Sequence, residues 1–349
     1  MNTTPLTSIP SIPSILSRPL PRPLLLPVLL ALLLGATQAT AVEVSRHAGD
    51  WSELHLAGGS LIASPAGAPP RRLTLRDGRL HAEPWHPPST PPLPADRLPD
   101  AVIVDGSGTI ARSWLGGATD RYGHGVLGDA IEAGTLFAVD RSGRRHAAVL
   151  DADRVFEDRL PRMADLDGDG DDELLVIRSE LTAGAALASY GLADGELVEE
   201  AASAPIGRAN RWLNVAGIAD FDGDGRLEVA AVVTPHIGGT LTLYRQQGRV
   251  LQPVMSLHGF SNHRIGDREL GMSAVADLDG DAIADLLVPD TRRRDLQLVR
   301  VRDGQLESFG RIENRGEIRS GLLQADLDGL PGDEIAYLLD DGTLVIVRP

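Results

Sequence analysis

The chain has 349 residues, no cysteine, no lysine and a formal net charge of −16. Without cysteine there can be no disulfide staple and no thiolate metal site. The acidic balance argues against a nucleic-acid partner held on a basic surface, so where the acids lie matters more than their sum.

The N-terminus reads as a leader. Residues 1–23 carry Arg18 and Arg22 and no acid; "LLLPVLLALLLG" (24–35) follows, then "ATQATA" (36–41), whose small-x-small ending marks a cleavage site after Ala41. Twelve apolar residues interrupted by Pro27 are too few to span a bilayer. The expected mature chain is 42–349, a single domain with no membrane span, delivered to the periplasm or the medium.

Residues 42–122 hold strand-like pieces ("SELHLAG", "RRLTLRDGRLHAE", "DAVIVDGSG") around a proline-rich stretch, 84–99, expected to form a surface loop. Residues 123–150 read as a blade whose acidic loop has degenerated. From there a motif recurs: "ADLDGDGDDELLV" from Ala164, "ADFDGDGRLEVAA" from Ala219, "ADLDGDAIADLLV" from Ala276 and "ADLDGLPGDEIAY" from Ala325. Each copy places an acid eight residues after its first Asp and an aliphatic after that. Short apolar runs broken by turns such as Asp194-Gly195 and Asp303-Gly304 fill the intervals, with no helical stripe. A repeat of about 55 residues with four short strands predicts an all-β propeller of four-stranded blades. Six blades fit the length, with seven the alternative. The last repeat runs out after three strands, so an N-terminal strand near 42–62 is expected to complete it and close the ring.

In the first loop Asp165, Asp167 and Asp169 stand at positions 1, 3 and 5, and Glu173 stands at position 9. Alternate residues of a tight loop can point to one centre, and the carbonyl of Asp171 at position 7 would add a further hard oxygen. That donor set suits Ca²⁺. Gly168 and Gly170 permit the sharp turn.

These loops resemble those of the FG-GAP/VCBS repeat family, the calcium-binding blades of integrin α-subunit propellers. The resemblance implies metal ligands at Asp220, Asp222, Asp224, the Arg226 carbonyl and Glu228 in the second loop. In the third it implies Asp277, Asp279, Asp281, the Ile283 carbonyl and Asp285. Ala282 stands where the first two loops have Gly170 and Gly225, and the fourth loop has Leu330 and Pro331 at positions 5 and 6. About three Ca²⁺ ions are therefore expected, with the fourth loop a metal-free turn. "RYGHGVLGD", "RVFED", "TPHIGGTL" and "GFSNHRIGDREL" also resemble stretches of exported bacterial VCBS repeat-containing proteins, a group without an assigned activity.

The segments leading into each loop should converge near the propeller axis. They supply Glu157, Arg159, Arg211, Trp212, Asn214, His263, Arg268, Glu269 and Arg319. This uneven set is a candidate ligand face, with Trp212 placed to stack on a sugar. No nucleophile elbow, HExxH or P-loop occurs. The expectation is a binding module for a protein or glycan partner. The alternative is an envelope hydrolase or lyase in which His124, His236 and His263 meet a carboxylate.

Overall fold

The computed structural model describes residues 42–88 and 92–349; the expected leader, 1–41, lies outside them. Among the described residues the regular elements are all β-strands, and no helix is long and apolar enough to cross a membrane.

The strands pair antiparallel in successive four-stranded units. Unit 1 is Trp51–Ala57, Ser60–Pro65, Arg71–Arg76 and Arg79–Pro84. Unit 2 is Val104–Asp105, Ile110–Thr119, Glu132–Asp140 and Arg145–Val149. In unit 3, Arg154–Phe156 and Arg162–Ala164 share the leading edge before Glu173–Glu180, Gly184–Ala193 and Glu196–Ala202. Unit 4 is Leu213–Ala219, Glu228–Val233, Thr240–Gln247 and Val250–His258. Unit 5 is Ala274–Ala276, Asp285–Pro289, Leu296–Arg302 and Gln305–Ile312.

The last repeat supplies only Leu323–Ala325, Glu334–Leu338 and Leu344–Arg348. Glu43–His47 pairs antiparallel with Leu344–Arg348 and makes the fourth strand of this unit 6. The clasp is shorter than the stretch expected from sequence, because Trp51 already begins unit 1.

The second strand of each repeat explains why the units stack. Glu173–Glu180 is buried through its first seven residues, and a strand covered on both faces reads as a continuous apolar run. Its side chains alternate between two cores: Leu174 and Val176 pack towards unit 2, Leu175 and Ile177 towards unit 4. The same division recurs at Val229 and Ala230, at Leu286 and Leu287, and at Ile335 and Ala336. Outer strands face water and alternate, as Val250–His258 does. Each fully buried Leu, Ile or Val contributes roughly 1.5–3 kcal/mol by leaving water, so these sheets are held face to face by their central strands. This is a β-propeller.

Unit 2 differs on its outward side. Trp114 stacks on Phe137 at 5.5 Å, and the Arg145 guanidinium lies 4.2 Å from the Phe137 ring centre. Asp96 accepts the Trp114 indole N–H at 3.3 Å and pairs with Arg145. The proline-rich segment is therefore not purely a surface loop, since Asp96 joins this cluster and Leu98 is buried in the unit 2–3 core.

Candidate metal centres

Each acidic loop joins the leading strand of its unit to the buried second strand, and position 9 is the first residue of that second strand. The strand start fixes this carboxylate: Glu173, Glu228, Asp285 and Glu334 are all buried. Each turns back to accept the backbone N–H of position 2. The donors are Leu166 at 2.7 Å, Phe221 at 3.0 Å, Leu278 at 2.9 Å and Leu327 at 2.9 Å. Position 1 ties the other side of the loop. Asp165 accepts N–H groups from Gly168 (2.7 Å) and Gly170 (3.0 Å), and Asp220 and Asp277 do the same in their loops.

The result is a convergent oxygen set. In each loop one carboxylate oxygen from positions 1, 3 and 9 lies within 4.8 Å of the other two: Asp165/Asp167/Glu173, Asp220/Asp222/Glu228, Asp277/Asp279/Asp285 and Asp326/Asp328/Glu334. Three hard, anionic oxygens at that spacing fit a divalent cation of the calcium type, and all four groups could hold one. The fourth loop thus keeps the three-carboxylate geometry despite Leu330. The position-5 aspartates stand outside these triads: Asp169, Asp224 and Asp281 accept the N–H of Asp171, Arg226 and Ile283 at 2.8–3.0 Å.

Burial drives the position-9 groups towards protonation. Glu173 is pushed up to about 8 and Asp285 to about 7, with neighbouring aspartates adding to the effect and the backbone N–H opposing it. Glu228 and Glu334 are raised by burial too, against an arginine in each case.

Those arginines carry no signal in the motif itself. Leu174, Val229, Leu286 and Ile335 pair across the ladder with Tyr190, Tyr244, Val299 and Val347. The next residue is Arg245, Arg300 and Arg348 in units 4, 5 and 6, but Gly191 in unit 3. Arg245 bonds Glu228 at 2.7 Å, Asp222 at 2.9 Å and Asp224 at 2.9 Å. Arg300 reaches Asp279 at 2.7 Å, and Arg348 reaches Asp328 at 2.6 Å and Glu334 at 3.1 Å.

The residues expected to form a ligand face separate into two groups. Trp212 is 2 % exposed, which removes it as a platform for a sugar. Its indole N–H donates to the Glu157 carbonyl at 3.0 Å, and its ring lies parallel to His236 and 4.6 Å from His263. Glu157, Asn214 and His263 are also buried. Glu157 meets His124 Nδ1 at 2.6 Å and accepts the Ser179 hydroxyl at 2.5 Å. His236 Nε2 meets His263 Nδ1 at 2.9 Å, and His263 Nε2 reaches the Asp267 carbonyl at 2.9 Å. Burial lowers His236 to about 3 and His263 to about 4, so both rings are neutral.

The remaining residues lie nearer solvent, and several are taken up by neighbouring groups. Arg268 bridges Asp129 at 2.7 Å and Asp100 at 3.3 Å, and Arg159 also binds Asp100 at 3.4 Å. Glu269 accepts the Gly271 N–H at 2.6 Å, while Arg211 is half-buried and Arg319 exposed.

The FG-GAP-like repeat profile matches residues 165–231 and 220–288, which contain the first three acidic loops. No curated protein matches the chain. Among solved structures, BBS1N, crystallised in complex with ARL6DN, aligns over 88 % of this chain and 96 % of its own at 10 % identity and a TM-score of 0.47. Strand topology and repeat profile together identify the chain as a β-propeller that carries FG-GAP-like repeats across residues 165–288.

Proposed function

We propose that this chain is an exported, calcium-stabilised propeller of six blades, folded as one domain over 42–349, that serves as a binding module for a protein or glycan partner at the cell envelope. The observation that carries the calcium reading is the convergence of positions 1, 3 and 9 in one geometry on four loops. Asp169, Asp224 and Asp281, with the carbonyls of Asp171, Arg226 and Ile283, would complete the oxygen shells in the first three loops. The ion would there supply the positive charge that holds clustered carboxylates together. The basic, apolar and small-residue order of 1–41 supports export to the periplasm or medium.

The buried cluster around Trp212 favours a scaffold over an envelope hydrolase or lyase. Both Glu157 oxygens and both His263 nitrogens are taken up by partners inside the protein. An acid–base pair built for catalysis needs a group within hydrogen-bond reach of substrate, and these groups are turned to partners inside the protein. The exposed Arg319 and the half-buried Arg211, with the paired Arg268, are the better contact for an anionic partner.

The test is thermal unfolding of chelator-stripped protein titrated with Ca²⁺ and, separately, with Mg²⁺. The reading predicts a calcium-selective rise in Tm with about three ions bound per chain. Equal melting curves with and without calcium would sink it. N-terminal sequencing of the exported protein should begin at Val42.

A further inference from the structure

The four loops share a motif but not their surroundings. In units 4, 5 and 6 the ladder position beside the loop holds Arg245, Arg300 or Arg348, whose guanidinium lies on the loop carboxylates. A positive charge is thus already built into the places where a cation would sit. In unit 3 the same position is Gly191.

A second departure accompanies the glycine. The pairing of Gly184–Ala193 with Glu196–Ala202 slips between Ser189 and Tyr190: Ser189 faces Ala201 and Tyr190 faces Glu199, which leaves Glu200 as the extra residue of a β-bulge. A bulge re-aims the side chain of its extra residue, and here the Glu200 carboxylate fills the space that a Cβ on residue 191 would occupy. In unit 5 the corresponding bulge residue is Phe309, and it lies 4.8 Å beneath Arg300 as an aromatic support. Unit 3 has glycine plus carboxylate where unit 5 has arginine plus aromatic and unit 4 has arginine plus Val254.

The first loop therefore gathers negative charge, and among the described residues no guanidinium is hydrogen-bonded to its carboxylates. Asp169, Asp171, Asp172, Glu173 and Glu200 line a cavity of about 30 Å³, the room of a single ion or water, which shares only Glu173 with the Asp165/Asp167/Glu173 triad. Thr109, from the turn in unit 2, donates its hydroxyl to Asp171 and closes that side. Glu200 feels the charges of Asp167 and Asp169 as neighbours, with Arg249 opposing them.

We propose that the first loop is the cation-demanding site of this protein, with Glu200, admitted by Gly191, as an added negative charge beside it. Arg245, Arg300 and Arg348 are internal counter-ions that compete with metal at the other three loops. This rests on the calcium reading given above. It goes beyond that reading by ranking the loops on their surroundings, and by naming a charged residue outside the motif.

Calorimetric titration of the chelator-stripped protein with CaCl₂ tests it, with circular dichroism as the check on folding. Glu200→Gln removes the added charge and should weaken the tightest calcium site by about tenfold or more, since hydrogen-bonding and ionic contacts of charged groups carry that weight. Gly191→Arg should abolish that site, while Arg245→Met, which unburdens the second loop, should tighten a weaker one by about tenfold. If Gly191→Arg does not fold against Glu200, the other two variants decide. An unchanged tightest site in Glu200→Gln, or no tightening in Arg245→Met, overturns the ranking while leaving calcium binding intact. Absence of calcium uptake by the unsubstituted protein overturns the calcium reading itself and the ranking with it.

Discussion

Arg348 lies 3.1 Å from Glu43 across the seam where the two ends of the described chain pair, and the two residues are opposite each other in the ladder. The ion pair is exposed at both partners, so it contributes little by itself. The clasp is held by what lies inward of it. Val42 and Val44 pack on the core that contains Tyr337, Val345 and Val347. Val44→Asp should therefore cost about 2 kcal/mol or more by placing an unpaired carboxylate there, whereas Glu43→Gln should change stability by less than about 0.5 kcal/mol. Urea unfolding of both variants separates the two contributions; equal losses would mean that the ion pair, and not the core contact, closes the unit.

The buried histidine pair predicts acid sensitivity. His236 and His263 are lowered by burial to about 3 and about 4, below the ordinary histidine value near 6.5. The folded protein keeps them neutral while the unfolded chain takes up protons below about 6.5. Stability is fully present above that pH and is lost as pH falls through the window from about 6.5 to 4. Each ring then costs about 2 kcal/mol at pH 5. His236→Gln retains an N–H donor for His263 and should flatten the pH dependence of Tm across this window. A curve of unchanged slope would remove the pair as its source.

Glu132 carries the opposite sign. It is buried in unit 2, and burial, followed by the charges of Glu157 and Asp129, pushes it up to about 9. Its folded form holds a proton that the unfolded chain releases near 4.5, so stability falls as pH rises from about 4.5 to 9. Glu132→Gln keeps the shape without the ionisation. It should raise stability at pH 7 by about 1–3 kcal/mol and make no difference at pH 4. A gain at both values would point to packing instead of charge.

The repeat, the strand content and the carboxylates of the loops were legible in the sequence because alternate aspartates and a following apolar strand are local patterns. The partition of Leu174 and Leu175 between two cores follows from the same period of two. Trp212 was misjudged because its environment comes from several units at once: Glu157 precedes the first loop, His236 lies in unit 4 and His263 leads towards unit 5. No window of sequence contains those neighbours. The contrast of Gly191 with Arg245, Arg300 and Arg348 is visible as residue types but not as equivalent positions. Hairpins of different length displace these residues along the chain, and only the ladder register aligns them.

Position 6 of the loops isolates the energetic cost of backbone conformation. Gly170, Gly225 and Ala282 have φ of 97°, 86° and 67°, a region that disfavours a side chain. All three donate their N–H to the position-1 aspartate, at 3.0, 2.8 and 2.9 Å, so the loop needs the conformation whichever residue is present. A Cβ added at Gly170 or Gly225 meets nothing within 4 Å, which removes steric collision from the comparison. Gly225→Ala should then lower stability by about 1 kcal/mol through φ alone. Ala282→Gly relieves the same strain but loosens the unfolded chain, and should gain only about 0.5 kcal/mol. Urea unfolding in excess chelator measures both without a contribution from bound ions. A neutral Gly225→Ala would show that the loop relaxes to accept a side chain, and that Ala282 is no handicap to the third loop.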